Sequence, residues 1–226
     1  MSSTPRFLLV FDLDGTLIDS RLDIANSTND VLVSFGADPL PIDQVAAMVG
    51  DGAQMLVRRA MEAIGREFVP EALDRFRDVY DRRLLEHTVP YAGIRELLVS
   101  LQPVAAIAVL SNKPEAPSLR LLESLGLRPH VGAVIGGDTP GFTRKPDPAG
   151  LLHLIADAGA TPATTMMIGD SMVDVETARR AGAHVCAVRY GFGYLREGLS
   201  LRDGEGDVSS VEALPNALAA FLTTSS

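Results

Sequence analysis

Residues 7–11, Phe-Leu-Leu-Val-Phe, form an apolar run with no polar alternation that breaks off at once into Asp12-Leu13-Asp14-Gly15. A strand wet on one face alternates in polarity, whereas a strand covered on both faces reads as an unbroken apolar run. Runs of the same kind recur at residues 104–110, 130–135, 165–168 and 184–188. Between them lie helical patterns: residues 114–125 stop at Gly126, residues 148–158 at Gly159 and residues 174–181 at Gly182. Doubly covered strands alternating with helices predict an α/β protein with a doubly wound, Rossmann-like parallel sheet.

One stretch departs from that alternation. From Ser20 to His87 the apolar positions recur at helical spacing (Leu22, Ile24, Val31, Leu32, Phe35; Met55, Leu56, Ala60, Ile64; Leu73, Phe76, Val79, Tyr80, Leu84) with no strand pattern. Its breaks fall at residues 36–41, at Gly50-Asp51-Gly52 and at residues 65–70. This is more chain than a crossover between neighbouring strands needs. It predicts an inserted all-helical cap subdomain over residues 19–87, with residues 1–18 and 88–226 forming the core. The chain re-enters the core through Pro90-Tyr91-Ala92-Gly93 and a helix over residues 94–101. A terminal helix is expected over residues 211–222 and a loose end over 223–226.

Composition narrows the classes of function. A chain of 226 residues with 46% hydrophobic residues buries about 70% of its surface on folding, enough for a core without disulfide or metal staples. Cys186 is the single cysteine, so neither a disulfide framework nor a thiolate metal cage can form within the chain, and a reducing, cytoplasmic setting is expected. No apolar stretch reaches the ~20 residues of a membrane helix. A net charge of -9 with 5% aromatics and no tryptophan offers no footprint for nucleic acid. A small metabolite is the expected partner, bound by a monomer or homodimer.

Open α/β sheets gather ligands at the carboxyl ends of their strands. The polar residues that follow the apolar runs are Asp12, Asp14, Gly15 and Thr16, then Ser111 and Asn112, then Lys145 on a loop, then Gly169, Asp170 and Asp174. Each alone has a plainer reading. Asp-x-Asp-Gly is commonly a solvated turn, Ser111 suits a helix cap, Lys145 a solvated lysine and Asp174 a first-turn acid favoured by the helix dipole.

Together, Asp12-Leu13-Asp14-Gly15-Thr16-Leu17-Ile18-Asp19-Ser20, Ser111-Asn112-Lys113-Pro114, Lys145-Pro146-Asp147-Pro148 and Gly169-Asp170-Ser171-Met172-Val173-Asp174 resemble the four motifs of the haloacid dehalogenase-like superfamily, in the family's order. Asp19-Ser20 and Val49-Gly50-Asp51-Gly52-Ala53 make the phosphoglycolate phosphatase-like branch the nearest match. The resemblance implies that Asp12 is a nucleophile that also touches the metal, that Asp14 gives the metal its backbone carbonyl, and that Asp170 adds a carboxylate. Asp174 lies one helical turn on from Asp170 and binds directly, through water, or by orienting the others. Clustered carboxylates repel, and an oxygen-only donor set favours Mg²⁺ over zinc.

In that chemistry a carboxylate attacks phosphorus to give an aspartyl-phosphate, which water then hydrolyses. Asp14 protonates the departing alkoxide and afterwards takes a proton from water. Lys145 offsets phosphoryl charge, Ser111 donates its hydroxyl, Asn112 holds the loop or the phosphate, and backbone N–H groups around Leu13 and Gly15 cradle the phosphoryl oxygens. In the cap, Gly50, Asp51 and Gly52 are expected to face the substrate, and Arg58 to meet a substrate carboxylate. His87, His130, His153 and His184 lack ligand spacing and Cys186 sits in an apolar strand; all five read as structural. Arg144 is open to either an exposed or a phosphate-facing reading.

The expected reaction is Mg²⁺-dependent hydrolysis of a small phosphomonoester, with 2-phosphoglycolate leading. Sugar phosphates, N-acetylmuramate 6-phosphate, pyrophosphate and a β-phosphoglucomutase-like transfer are the alternatives within the superfamily. Asp14 argues against a dehalogenase, which has no alkoxide to protonate. A phosphoaspartate receiver module is the competitor from another class. It is disfavoured because a receiver carries its acidic pair on the first strand and its phosphoacceptor on a later one.

Overall fold

The computed structural model describes residues 7–196 and 198–223. Strand β1, Phe7–Phe11, is followed by a tight turn and a two-residue strand β2, Ile18–Asp19. Four helices come next: α1 Arg21–Ser34, α2 Ile42–Ala46, α3 Ala53–Ala63 and α4 Pro70–Arg83. Strand β3, Val89–Pro90, pairs antiparallel with β2, so the helical stretch leaves and returns through one short ribbon. The remainder alternates: α5 Ile94–Leu101, β4 Ala105–Leu110, α6 Glu115–Ser124, β5 Ala133–Ile135, α7 Ala149–Asp157, β6 Thr165–Gly169, α8 Met172–Ala181, β7 His184–Val188, β8 Gly206–Val208 and α9 Leu214–Thr223.

The main sheet has the order β5-β4-β1-β6-β7-β8 with every pair parallel, the doubly wound arrangement predicted from the alternation. Strand β1 is central, Leu9 standing beside Ile107 on one side and Met166 on the other. Its apolar run is explained by two separate cores. Leu8 and Val10 pack with Leu151, Leu154, Val175 and Ala178 of α7 and α8, while Leu9 and Phe11 pack with Leu97, Leu98, Leu121 and Leu218 on the opposite face. From β1 the chain builds one side of the sheet, then crosses back to build the other. The switch in direction therefore falls beside β1, which opens a crevice at its carboxyl end.

Of the apolar positions that periodicity marks in α1, α3 and α4, Ile24, Val31, Leu56, Ala60, Phe76 and Tyr80 are buried, while Leu22, Met55 and Val79 are partly so. The breaks at residues 36–41 and 50–52 fall between helices, and the one at 65–70 ends on Pro70, the first residue of α4. Three details differ from the sequence reading. The run at 130–135 is a strand only over Ala133–Ile135, preceded by a 3-10 turn at Arg128–His130. The edge strand β8 has no apolar signature, since Gly206 and Asp207 are exposed and the Asp207 carboxylate pairs with Arg189 of the neighbouring segment. The last helix starts at Leu214, after a 3-10 turn, and runs through Thr223. Residues 224–226 of the expected loose end lie outside the described residues. No helix among the described residues is long and apolar enough to cross a membrane.

Candidate active site

The crevice is built from the ends of β1, β4 and β6. At β1 the Leu13 carbonyl accepts hydrogen bonds from the N–H groups of Thr16, Leu17 and Ile18, which folds the chain back immediately after Asp12. Gly15 makes this turn possible. Its φ is +85°, and a Cβ there would lie 1.8 Å from Asp170 Oδ2. The N–H of Gly15 donates to the Ile18 carbonyl at 2.9 Å, so the turn engages a donor that the sequence reading reserved for phosphate.

At the end of β6, Asp170 Oδ2 accepts hydrogen bonds from Phe192 N (2.9 Å) and Gly193 N (2.7 Å). The loop that supplies them must pass very close: a Cβ on Gly191 would lie 2.2 Å from the Gly15 carbonyl oxygen, and one on Gly193 2.7 Å from Asp170 Oδ1. The sequence reading missed these residues. The glycines flanking Phe192 just after an apolar strand were the available signal. Asp174, in the first turn of α8, accepts on Oδ2 from Ser171 N (3.1 Å) and Ser171 Oγ (2.7 Å), capping its own helix. Its Oδ1 accepts from Lys145 Nζ at 2.6 Å.

Lys145 Nζ also lies 2.9 Å from Asp12 Oδ1, an ion pair that joins the two residues. Burial opposes the lysine's charge, but Asp12 and Asp174 outweigh it and hold the ammonium firmly protonated. Asp12, Asp170 and Asp174 are all buried and offer oxygens within 4.8 Å of one another. Burial first, then the charge of Asp174 against the opposing pull of Lys145, leaves the Asp12 carboxyl raised to about 6. Burial, with Asp12 and Asp174 adding to it, pushes Asp170 well above the usual carboxylate range.

These observations test whether a cation suits the cluster. Three buried carboxylates converge, and the one ammonium between them leaves an excess of negative charge. All the convergent donors are hard carboxylate oxygens, which fit a hard divalent cation.

The carboxylate of Asp14 is not one of the three. Its Oδ1 accepts from Ser20 Oγ at 2.5 Å, and its Oδ2 lies 3.0 Å from Lys113 Nζ. Lys113 belongs to the Ser111-Asn112-Lys113-Pro114 motif, whose sequence pattern assigns it no role. It is buried, and its ammonium also donates to Tyr80 Oη of α4 at 2.7 Å. At the end of β4, Ser111 Oγ accepts from Lys113 N at 3.3 Å. Asn112 Nδ2 donates to the carbonyls of Gly50 (2.8 Å) and Lys145 (3.0 Å), which joins three motifs through one amide.

A cavity of about 620 Å³ opens over this floor. Asp12, Asp14, Asp170, Ser111, Asn112 and Lys113 line it below, and Val49, Gly50, Gly52, Phe76 and Tyr80 line it from the helical side. Arg144 also lines it, with its Nε donating to the Gly137 carbonyl at 3.0 Å. Asp51 and Arg58, expected to face the substrate, are not among the residues lining this cavity. Asp51 pairs with Arg59 and Arg196. Arg58 lies over the Phe68 ring, 4.6 Å from its centroid. In both cases a nearer partner within the fold claims the charge. His87 pairs with Asp23, and Cys186 is buried in β7.

Comparison with known proteins agrees with this geometry. A sequence pattern described as haloacid dehalogenase-like hydrolase matches residues 9–188. The phosphoglycolate phosphatase of Caulobacter vibrioides is 35% identical over 221 residues, covering 96% of this chain and 92% of that protein. That of Pseudomonas putida is 38% identical over 196 residues, covering 84% of this chain and 71% of that protein. A crystal structure described as a predicted phosphoglycolate phosphatase from Haemophilus somnus superposes with a TM-score of 0.85 at 25% identity, covering 96% of this chain and 100% of that one. Matching over so much of its length, with its own acidic crevice at the end of β1, this chain belongs to the haloacid dehalogenase-like hydrolases.

Proposed function

We propose that the chain is a Mg²⁺-dependent phosphomonoesterase that hydrolyses 2-phosphoglycolate to glycolate and phosphate, with Asp12 as nucleophile. The observation that carries this reading is the division of its two leading carboxylates. Asp12 faces Lys145 and the acidic cluster, while Asp14 faces Ser20 and Lys113 on the side toward the helical stretch. Two acids two residues apart in sequence thus stand in different surroundings, as a nucleophile and a proton carrier require. The names of the relatives supply the substrate.

With Oδ1 of Asp12 held on the lysine side, Oδ2 is the oxygen available to phosphorus. It forms the new P–O bond as the ester P–O bond breaks, and Asp14 delivers a proton to the departing alkoxide. In the second step Asp14 takes a proton from water, the water oxygen bonds to phosphorus, and the acyl phosphate opens to restore the Asp12 carboxylate. Lys145 keeps Asp12 oriented and offsets the negative charge gathered around phosphorus, and Asp174, fixed by Ser171, keeps Lys145 in place. Asp12, Asp170 and the carbonyl of Asp14 are assigned to Mg²⁺, with Asp174 beside them. When bound, the ion offsets phosphoryl charge and lowers the repulsion between nucleophile and substrate. The hydroxyl of Ser111 is assigned to the phosphoryl oxygens.

Residues 19–87 are assigned as a cap that closes over the crevice and excludes water from the acyl phosphate. The cavity between the two parts suits a compact metabolite. Phosphate release from 2-phosphoglycolate with and without Mg²⁺ tests the reading. Mg²⁺-dependent turnover that Asp12→Asn abolishes is expected. A protein that turns over neither 2-phosphoglycolate nor any other phosphomonoester overturns it.

A further inference from the structure

We infer that Lys113 binds the carboxylate of the leaving group, making this site selective for phosphate esters of short hydroxy acids, and that Tyr80 of the helical stretch holds the lysine in position to do so. The inference rests on the phosphomonoesterase reading above and assigns the specificity of that same site.

An ammonium has three N–H donors. That of Lys113 gives one to Tyr80 Oη at 2.7 Å and lies 3.0 Å from Asp14 Oδ2, and the residue lines the cavity with little exposure elsewhere. The third donor is therefore left for whatever occupies the cavity. Asp14 identifies what that is. A residue that protonates the departing alkoxide must sit at the ester oxygen, so a cation 3.0 Å from its carboxylate sits beside the leaving group, while the phosphoryl group lies with Asp12 and Lys145. In the phosphate ester of a 2-hydroxy acid the carboxylate carbon is separated from the ester oxygen by a single carbon. A carboxylate so placed meets Lys113 without the ligand having to extend further.

Burial makes the contact selective. A desolvated ammonium gains much more from an anion than from a hydroxyl, because water no longer competes for either partner. Tyr80 completes the arrangement from the other side of the cavity. Its ring stacks on Phe76, with centroids 5.5 Å apart and planes 8° from parallel, and it also lies under the ammonium, 4.5 Å from centroid to Nζ. The phenol is thus rigidly carried by α4, and it reaches Lys113 where the helical stretch meets the sheet. Selectivity and closure become one event. The plainer alternative is that Lys113 only neutralises Asp14, in which case its loss harms every substrate alike.

The test compares kcat/KM for 2-phosphoglycolate with that for 2-hydroxyethyl phosphate, in which a hydroxymethyl group replaces the carboxylate. Wild-type protein is expected to prefer the acid by on the order of 100-fold. In Lys113→Met that preference falls about 30-fold, whatever loss both esters share, chiefly through KM for the acid. Lys113→Arg, which keeps the cation, recovers part of the preference. Tyr80→Phe, which keeps the ring stack, reduces it by about threefold to tenfold. A preference unchanged within threefold in Lys113→Met overturns the inference. Should that variant fail to fold, an unchanged preference in Tyr80→Phe overturns it instead. Equal turnover of both esters by wild type overturns the inference and leaves the phosphatase reading standing. Failure to hydrolyse any monoester overturns both.

Discussion

Asp170 is placed where its charge is least welcome: buried, beside Asp12 and Asp174, with two backbone N–H groups as its hydrogen-bond donors. Its raised pKa means that the folded protein without metal keeps a proton that the unfolded chain has lost. Stability then falls as pH rises through that interval, from the ordinary aspartate value of 3.8 upward. Asn at this position can accept the same two N–H bonds without the charge. In EDTA, Asp170→Asn is therefore expected to melt ~2–6 °C above wild type at pH 7.5, with the gap closing toward pH 4. Mg²⁺ should raise the melting temperature of wild type and not of the variant. Because burial raises the Asp12 carboxyl to about 6, protons compete with the ion, and the Mg²⁺ concentration for half-maximal activity should climb as pH drops below about 6. Thermal melts and Mg²⁺ titrations at several pH values check both. Asp12 and Asp170 were readable from the sequence because each follows an apolar strand directly. Lys113 was not, because a lysine beside a proline says nothing of a phenol 33 residues away.

Helix α1 carries another buried acid, Asp23, with the opposite behaviour. Burial of Asp23 would raise its pKa, but the N–H groups of His87 and Thr88, the Thr88 hydroxyl and the His87 ring more than compensate, and the value is lowered. These partners lie just before β3, so Asp23 ties the exit of the helical stretch to its entrance. A lowered carboxylate pKa contributes stability that is complete above 3.8 and lost as pH falls through the folded-state value. Asp23→Ala should cost about 3 kcal/mol at pH 7, since it strands buried N–H donors, and the cost should shrink below pH 3.8. Urea unfolding at the two pH values measures it. A cost that stays the same in acid would show that packing, not the carboxylate, holds the ribbon together. Nothing in the local pattern marked this aspartate, which sits among helical positions like any first-turn acid.

Three contacts seat the loop before α3 on the sheet side of the cavity. Asn112 Nδ2 donates to the Gly50 carbonyl, Asp51 pairs with Arg196 as well as with Arg59, and Gly52 passes so close to Arg144 that a Cβ would lie 3.1 Å from its guanidinium. If residues 19–87 close as a cap, the Asp51–Arg196 pair is one of the contacts that closure makes. The pair is partly exposed and is worth only about 1 kcal/mol. Asp51→Ala and Arg196→Ala should each raise KM for 2-phosphoglycolate about threefold to tenfold, and the double variant no further. Additive losses in that cycle would show that the two residues act separately.

The sequence by itself determined the five apolar strands of the sheet, the helical stretch between β2 and β3, and the set of residues at the strand ends, but not the edge strand β8. Polarity patterns record which faces of an element are covered, and a strand covered on both faces must release its polar groups at its end. Only the tertiary structure decided partners. It turned Asp51 and Arg58 toward Arg196 and Phe68, brought Lys113 to Asp14 and Tyr80, and wrapped Gly191 and Gly193 around Asp170. Which charge meets which depends on distances between segments far apart in the chain, and residue spacing along one segment carries no trace of them.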